Sequence, residues 1–351
     1  MTDDVWYATG TTPAAIESAL RTLLSHRHRR SAAFVPARVL NLVAIVDAEF
    51  SGEVENRLAR LRESHPSRLV LCKVAEGQEG LDAIASIGSI DDEVTAGTVA
   101  VGRERIELTM APRHVAALDT IVAPLMVGDL PTVVWAPHGH GEGIDALRRH
   151  AQVVLLDSQD EPDVSQALMR AQSLSNHLRV VDLAWLRSAP WRERVAATFD
   201  PPELRRALTS IVGVTVRHRQ DSAAAGLLFC GWLSTRLGWR PESLTGRGAD
   251  RLGRLRARRG EVAVRLQAVE LQTPGLGGVT IETASGESVS LDRAPGGLRS
   301  LRRARDGTEA EWTVLGASRG ERGILADGVR NALLRDAIYP PALQAAHAMA
   351  A

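Results

Sequence analysis

"RVLNLVAIVDAEFSGEVENRLARLRESHPSRLVLCKVAE", residues 38–76, decides the fold class. It opens on a nearly unbroken apolar run, the composition of a strand buried on both faces. Val54, Leu58 and Leu61 then recur at helical spacing and define one apolar face. A second apolar run follows at 68–76. Strand, helix and strand in so short a segment make a βαβ unit. Such a unit implies parallel strands, because the crossover helix returns the chain to the same end of the sheet.

Outward from that unit the same alternation continues. Thr12 and Pro13 are start signals for a helix whose end, "SHRHRR" (25–30), suits a helix C-terminus. "AIASIGSI" (83–90) and "VAVGRERIELTM" (99–110) read as hairpin-like strands, followed by a helix with Val115, Leu118, Val122 and Leu125 on one face. "TVVWAP" (132–137) and "QVVLLDS" (152–158) are further core strands, separated by a short helix and followed by the helix "DVSQALMRAQSLSNH" (163–177). Residues 1–180 are therefore expected to form an N-terminal domain built on an open, mostly parallel α/β sheet.

Residues 181–208 read as a helical bridge, interrupted at Pro190 and at Pro201–Pro202. The remainder, 209–351, reads as a second α+β domain. A strand at 210–218 and an apolar helix at 221–238 precede a polar, Arg/Gly-rich insert at 240–260, whose Arg run 251–259 reads as a solvated linker. Period-two segments between 261 and 317, punctuated by Ser-Gly and Asp-Gly turns, predict an antiparallel meander, and a helix at 320–335 closes the domain.

Composition narrows the function. The 351 residues are 44% hydrophobic and 24% charged with zero formal net charge, which gives no basic excess for nucleic acid or an anionic membrane. No apolar run approaches the ~20 residues that span a bilayer. The polar, acidic opening "MTDDVWYATG" does not resemble a secretory leader. Cys72 and Cys230 are isolated, giving neither a disulfide framework nor a thiolate metal site. A cytoplasmic protein is expected.

Candidate sites are few. The turn after the first core strand carries no GxGxxG or Walker pattern, so a dinucleotide or ATP site is not expected there. "TPGLGGV" (273–279) precedes a strand and reads as a turn. In "WTVLGASRGERGILADGV" (312–329), backbone N–H groups near Ser318 and Arg319 could hold an anion. "LMVGDLPTVVWAPHGHGEG" (125–143) places His138 and His140 after the carboxyl end of a strand, the ligand-binding side of an open sheet. A sugar-phosphate sensor or an enzyme using that loop is the alternative reading. Metal binding would need partners such as Glu142 or Asp145, and no second metal motif is present. His65 and Arg68 flank Pro66 at the opposite end of the unit, where capping and carbonyl contacts are expected.

Three blocks read together, "HPSR" (65–68), "LMVGDLPTVVWAP" (125–137) and "VVDLAWLRSAPWRERV" (180–195), resemble the glucose-6-phosphate dehydrogenase assembly proteins, the OpcA family. The resemblance implies a protein with no catalytic residues, cofactor or metal of its own. Such a protein binds glucose-6-phosphate dehydrogenase and favours its active oligomer in the oxidative pentose phosphate pathway. Asp129, Pro131, Trp135, Asp182, Trp185, Trp191 and Arg192 match the family blocks. They are read as architecture first and partner surface second. Redox control, associated with cyanobacterial members, is not expected from two cysteines placed in apolar segments.

Overall fold

The computed structural model describes residues 3–30, 34–61, 66–89, 100–315 and 320–351. They cluster into two compact units: 1–156 with 178–181 and 325–334, and 157–177 with 182–324 and 335–351.

The first unit is built on nine strands: β1 (Asp4–Ala8), β2 (Phe34–Pro36), β3 (Leu40–Asp47), β4 (Ser67–Val74), β5 (Asp82–Ser89), β6 (Ala100–Met110), β7 (Thr132–Trp135), β8 (Val153–Leu156) and β9 (Arg179–Asp182). They lie in the order β1-β5-β6-β4-β3-β7-β8-β9, with β2 beside β6. The ladders β6/β4, β4/β3, β3/β7 and β7/β8 are parallel, as the βαβ reading requires. The hairpin expected around 83–110 is the antiparallel β5/β6 pair. β1, which alternation too weak to read had concealed, pairs antiparallel with β5.

Burial follows the sequence logic. β3 is buried from Leu40 through Val46, as a strand covered on both faces must be. Helix α1 (Pro13–Arg30) buries Ile16 and Leu20, and α2 (Ser51–Leu61) buries Val54, Leu58 and Leu61. The short helices α3 (Leu118–Val122) and α4 (Gly141–Leu147) complete this unit's connections.

In the second unit, α5 (Val164–Ser175) is capped by Asp163, whose carboxylate accepts from Ser165 N and Gln166 N at 2.8 and 3.1 Å. The segment read as a bridge forms α6 (Leu183–Arg187), α7 (Ala189–Thr198) and α8 (Pro202–Arg205), with breaks at the expected prolines. The sheet comprises β10 (Ile211–Arg219), β11 (Arg251–Ala257), β12 (Gly260–Val269), β13 (Leu276–Thr283), β14 (Ser288–Ala294), β15 (Gly297–Arg303) and β16 (Glu309–Leu315), in the order β11-β12-β10-β13-β14-β15-β16.

Two expectations are corrected here. Residues 251–257 are not a solvated linker but the edge strand β11, paired antiparallel with β12. Leu255 points inward while Arg254 and Arg256 stay exposed, so the arginines occupy the solvent side of a period-two pattern. The meander is also shorter than expected. It runs from β13 to β16, whereas β12 lies across β10 and parallel to it. The apolar α9 (Ala223–Leu237) occupies the connection between β10 and the β11–β12 hairpin, which makes a parallel return possible.

After α10 (Gly320–Ala332) the chain ends in α11 (Tyr339–Ala350), a helix absent from the sequence reading. It packs closely on α9: a Cβ added at Gly231 would fall 2.2 Å from the Ala342 carbonyl oxygen. Backbone offers no rotamer by which to yield, so Gly231→Ala must separate the helices. We expect a loss of about 1–3 kcal/mol, the usual cost of overpacking, measured by urea denaturation. An unchanged midpoint would contradict this close approach.

Candidate functional site

The residues singled out in the sequence gather at three places, two of them buried polar hubs. In the first unit, Arg68 on β4 is buried and engaged through Nε and Nη1. Its Nε donates to Glu104 Oε2 at 2.7 Å, and its Nη1 donates to Glu17 Oε2 at 3.2 Å and to the Leu125 carbonyl at 2.9 Å. Arg38 binds the same Glu104 carboxylate through Nε, at 2.8 Å, and through Nη2. Two guanidinium groups thus neutralise one buried carboxylate, the arrangement such a charge needs. The carbonyl contact expected of Arg68 fastens the start of the 125–137 block. His65 lies outside the described residues.

Asn41 on β3 secures the next part of that block. Its amide donates to the Val127 carbonyl at 3.0 Å and its oxygen accepts from Val127 N at 2.9 Å. Asp129 is exposed in a left-handed turn, φ +64°, and the Pro131 carbonyl accepts from Asn41 N at 2.8 Å. Trp135 is buried beneath the Arg57 guanidinium, 4.8 Å from the ring centre.

The second hub is in the other unit, around Asp182. This carboxylate has no solvent exposure and caps α6 by accepting from Ala184 N at 2.9 Å. It also accepts from Ser158 N at 3.2 Å, Ser158 Oγ at 2.5 Å and Tyr339 Oη at 3.1 Å. Trp185 Nε1 donates to Asp336 Oδ2 at 2.7 Å, and Arg192 lies 3.3 Å from the Trp185 ring centre. Arg192 Nη1 donates to the Trp185 carbonyl at 2.7 Å and also to Ser188 Oγ. Arg187 and Asp157 form a buried ion pair at 2.6 Å. Trp191 is buried, with Arg293 6.0 Å from its ring centre.

Burial, reinforced by the negative charge of Asp157, pushes Asp182 up to about 6 against the downward pull of its hydrogen bonds. Burial lowers Arg192 to about 9, which leaves it cationic at neutral pH. It also pushes both Cys72 and Cys230 up to about 12, so neither thiol is poised as a thiolate.

The third place is the histidine loop at the carboxyl end of β7. His138, Gly139 and His140 take positive φ in succession, +65°, +107° and +51°. His138 stacks on Phe50 at 4.7 Å with Nε2 3.9 Å from Glu53 Oε2, and His140 Nε2 lies 3.1 Å from Asp47 Oδ1. Each imidazole therefore faces a carboxylate, which disfavours a phosphate at the same position. Among the described residues no three His, Cys, Asp or Glu side chains come together as a metal site. Ser318 and Arg319 lie outside the described residues.

Sequence reading missed Arg38, Asn41, Glu104, Ser158, Asp336 and Tyr339. Only Asp336 left a local signal. Its carboxylate accepts from Ile338 N and Tyr339 N at 2.7 and 3.1 Å, and a helix with proline in its first turn follows.

The architecture is that of two-unit α/β proteins. A single-residue mutant of KijD10, a 3-ketoreductase from Actinomadura kijaniata solved with TDP-benzene and NADP, superposes with a TM-score of 0.50 at 12% identity. That match covers 88% of this chain and 95% of that one. The likeness is one of fold alone.

Sequence places the chain more narrowly. Residues 58–173 match the glucose-6-phosphate dehydrogenase subunit N-terminal domain and 178–343 the corresponding C-terminal domain. The chain belongs to the OpcA family of glucose-6-phosphate dehydrogenase assembly proteins. Relatives with the provisional name OxPP cycle protein OpcA include one from a Synechocystis species, 29% identical over 67% of this chain and 50% of that protein. Another, from Synechococcus elongatus, is 29% identical over 53% of this chain and 43% of its own length. The chain spans about half the length of the curated relatives it matches. Among the described residues no helix is long and apolar enough to cross a membrane.

The Asp182 hub yields a pH test. The unfolded carboxyl loses its proton near 3.8, whereas the folded one keeps it to about 6. Between those values the native state binds more protons, so the group's contribution to stability falls as pH rises. Asp182→Asn abolishes this titration, and the hydroxyls of Ser158 and Tyr339 can turn to accept from the new amide. Relative to the parent, the variant should gain about 3 kcal/mol between roughly pH 4 and pH 7, measured by urea denaturation. A difference independent of pH would contradict the assignment.

Proposed function

We propose that this chain is a non-catalytic partner of glucose-6-phosphate dehydrogenase. It binds the dehydrogenase, favours its active oligomer and so supports the oxidative pentose phosphate pathway in the cytoplasm. The observation that carries this reading is the match of two successive glucose-6-phosphate dehydrogenase subunit domains. The geometry supports it from another side. Arg68, Asp182, Trp185 and Arg192, four of the polar members of the family blocks, are engaged by partners within their own units, while Asp129 is exposed. Side chains used in that way build a scaffold and do not present reacting groups to a substrate.

Activation then follows from linkage. A protein that binds the active oligomer more tightly than the inactive or dissociated form shifts the population by its differential affinity. A coupling of about 1–3 kcal/mol corresponds to roughly 5–150-fold. A stable interface would bury about 1,200–2,000 Å² in total.

The direct test titrates this protein into the dehydrogenase of the same organism at subsaturating glucose 6-phosphate, following NAD(P)H formation. A saturable rise in rate is expected, with no turnover by this protein alone. Glucose 6-phosphate alone should leave its melting temperature unchanged. A flat titration without co-elution would overturn the reading.

A further inference from the structure

β1 lies at one end of its sheet. β5 pairs with one of its edges, and among the described residues nothing pairs with the other. Edge strands carry unpaired backbone N–H and C=O groups and are commonly blunted by charge, proline or a covering segment. Here the strand is short but its centre is not blunted: Val5 and Tyr7 are 58% and 72% exposed.

Beside the strand lies the C-terminal part of α1. Strand and helix together border an open groove lined by Asp3, Asp4, Val5, Leu23, His26, Arg29 and Arg30. The charges around the groove are not balanced. Asp4 is taken by Arg27 at 3.2 Å and Arg30 at 3.4 Å, and Asp3 by Arg103 at 3.4 Å. His26 and Arg29 are exposed and have no acidic partner among the described residues. A strand edge beside a helix is the geometry in which an extended peptide adds to a sheet, held by main-chain hydrogen bonds and selected through alternate side chains.

We infer that the β1 edge and the basic end of α1 form a docking groove for an extended, acidic segment of a partner protein, which adds to the sheet as a further strand. Backbone pairing supplies the register, Val5 and Tyr7 offer apolar contact, and Arg29 with His26 selects acidic side chains. This inference stands apart from the dehydrogenase reading, because the groove recognises a segment by its chemistry whichever protein carries it.

The test uses the full chain and two fluorescein-labelled peptides of equal length, one alternating glutamate with valine and one alternating lysine with valine. The glutamate peptide should bind, more weakly as salt is raised, and the lysine peptide should not. Binding should slow amide hydrogen exchange in residues 4–8. The double substitution His26→Glu/Arg29→Glu, on the exposed helix surface, should weaken binding at least tenfold, with only the small fall in melting temperature expected of acidic groups near a helix C-terminus.

Failure of the glutamate peptide to bind, equal binding of both peptides, or binding without slowed exchange in β1 would each overturn the proposal. So would β1 amides already protected in a free protein that sediments as a dimer, since a second copy would then occupy the edge. The exchange measurement needs no variant, so poor folding of the double substitution would not rescue a negative result. Loss of dehydrogenase activation with peptide binding intact would count against the earlier reading alone.

Discussion

A carboxylate without water is the constraint around which the second unit is organised. Asp182 has no solvent contact, and each of its hydrogen-bond donors comes from a different stretch of chain: Ser158, Ala184 and Tyr339. A buried charge or polar group left unpaired is costly. The residues around 158, 182 and 339 are therefore fixed together or not at all. Trp185 and Asp336 join through the indole N–H, and Arg192 covers the same ring. Arg68 plays the matching part in the first unit, linking β4, β6, α1 and the Leu125 turn through Glu104, Glu17 and a carbonyl.

This organisation bears on the family blocks, whose residue types invite comparison with an active site. Histidines after a core strand, a buried aspartate and an arginine beside tryptophan are all residue types found in catalysis. The difference lies in what the polar atoms face. The imidazoles of the histidine loop face Asp47 and Glu53, and the Asp182 oxygens face donors that hold them in place. Groups so engaged hold segments of the chain in place, as the scaffold role proposed above requires.

How much was legible depended on the range of the interaction. β3, α2 and β4 were readable because apolar periodicity is local, and the breaks around α7 because proline acts on its own backbone. β11 was hidden because arginines fill its outward positions and make an alternating strand resemble a polar linker. α11 was hidden because half of its buried residues, Ala342, Ala345 and Ala346, are alanines that give little contrast in sequence. The hubs were half legible. Asp182 and Arg68 were singled out, but Tyr339 lies 157 residues from Asp182, and no local rule could supply such a partner.

The central claim, that the buried polar hubs are scaffold while function is exercised through a partner, is tested most directly by separating stability from binding. Asp182→Asn and the parent should be compared for affinity toward the organism's glucose-6-phosphate dehydrogenase under conditions where both are fully folded. The account predicts equal affinity and equal activation, with the difference confined to unfolding free energy and its pH dependence. Activation lost in a folded variant of unchanged stability would place Asp182 in the functional surface and contradict the account.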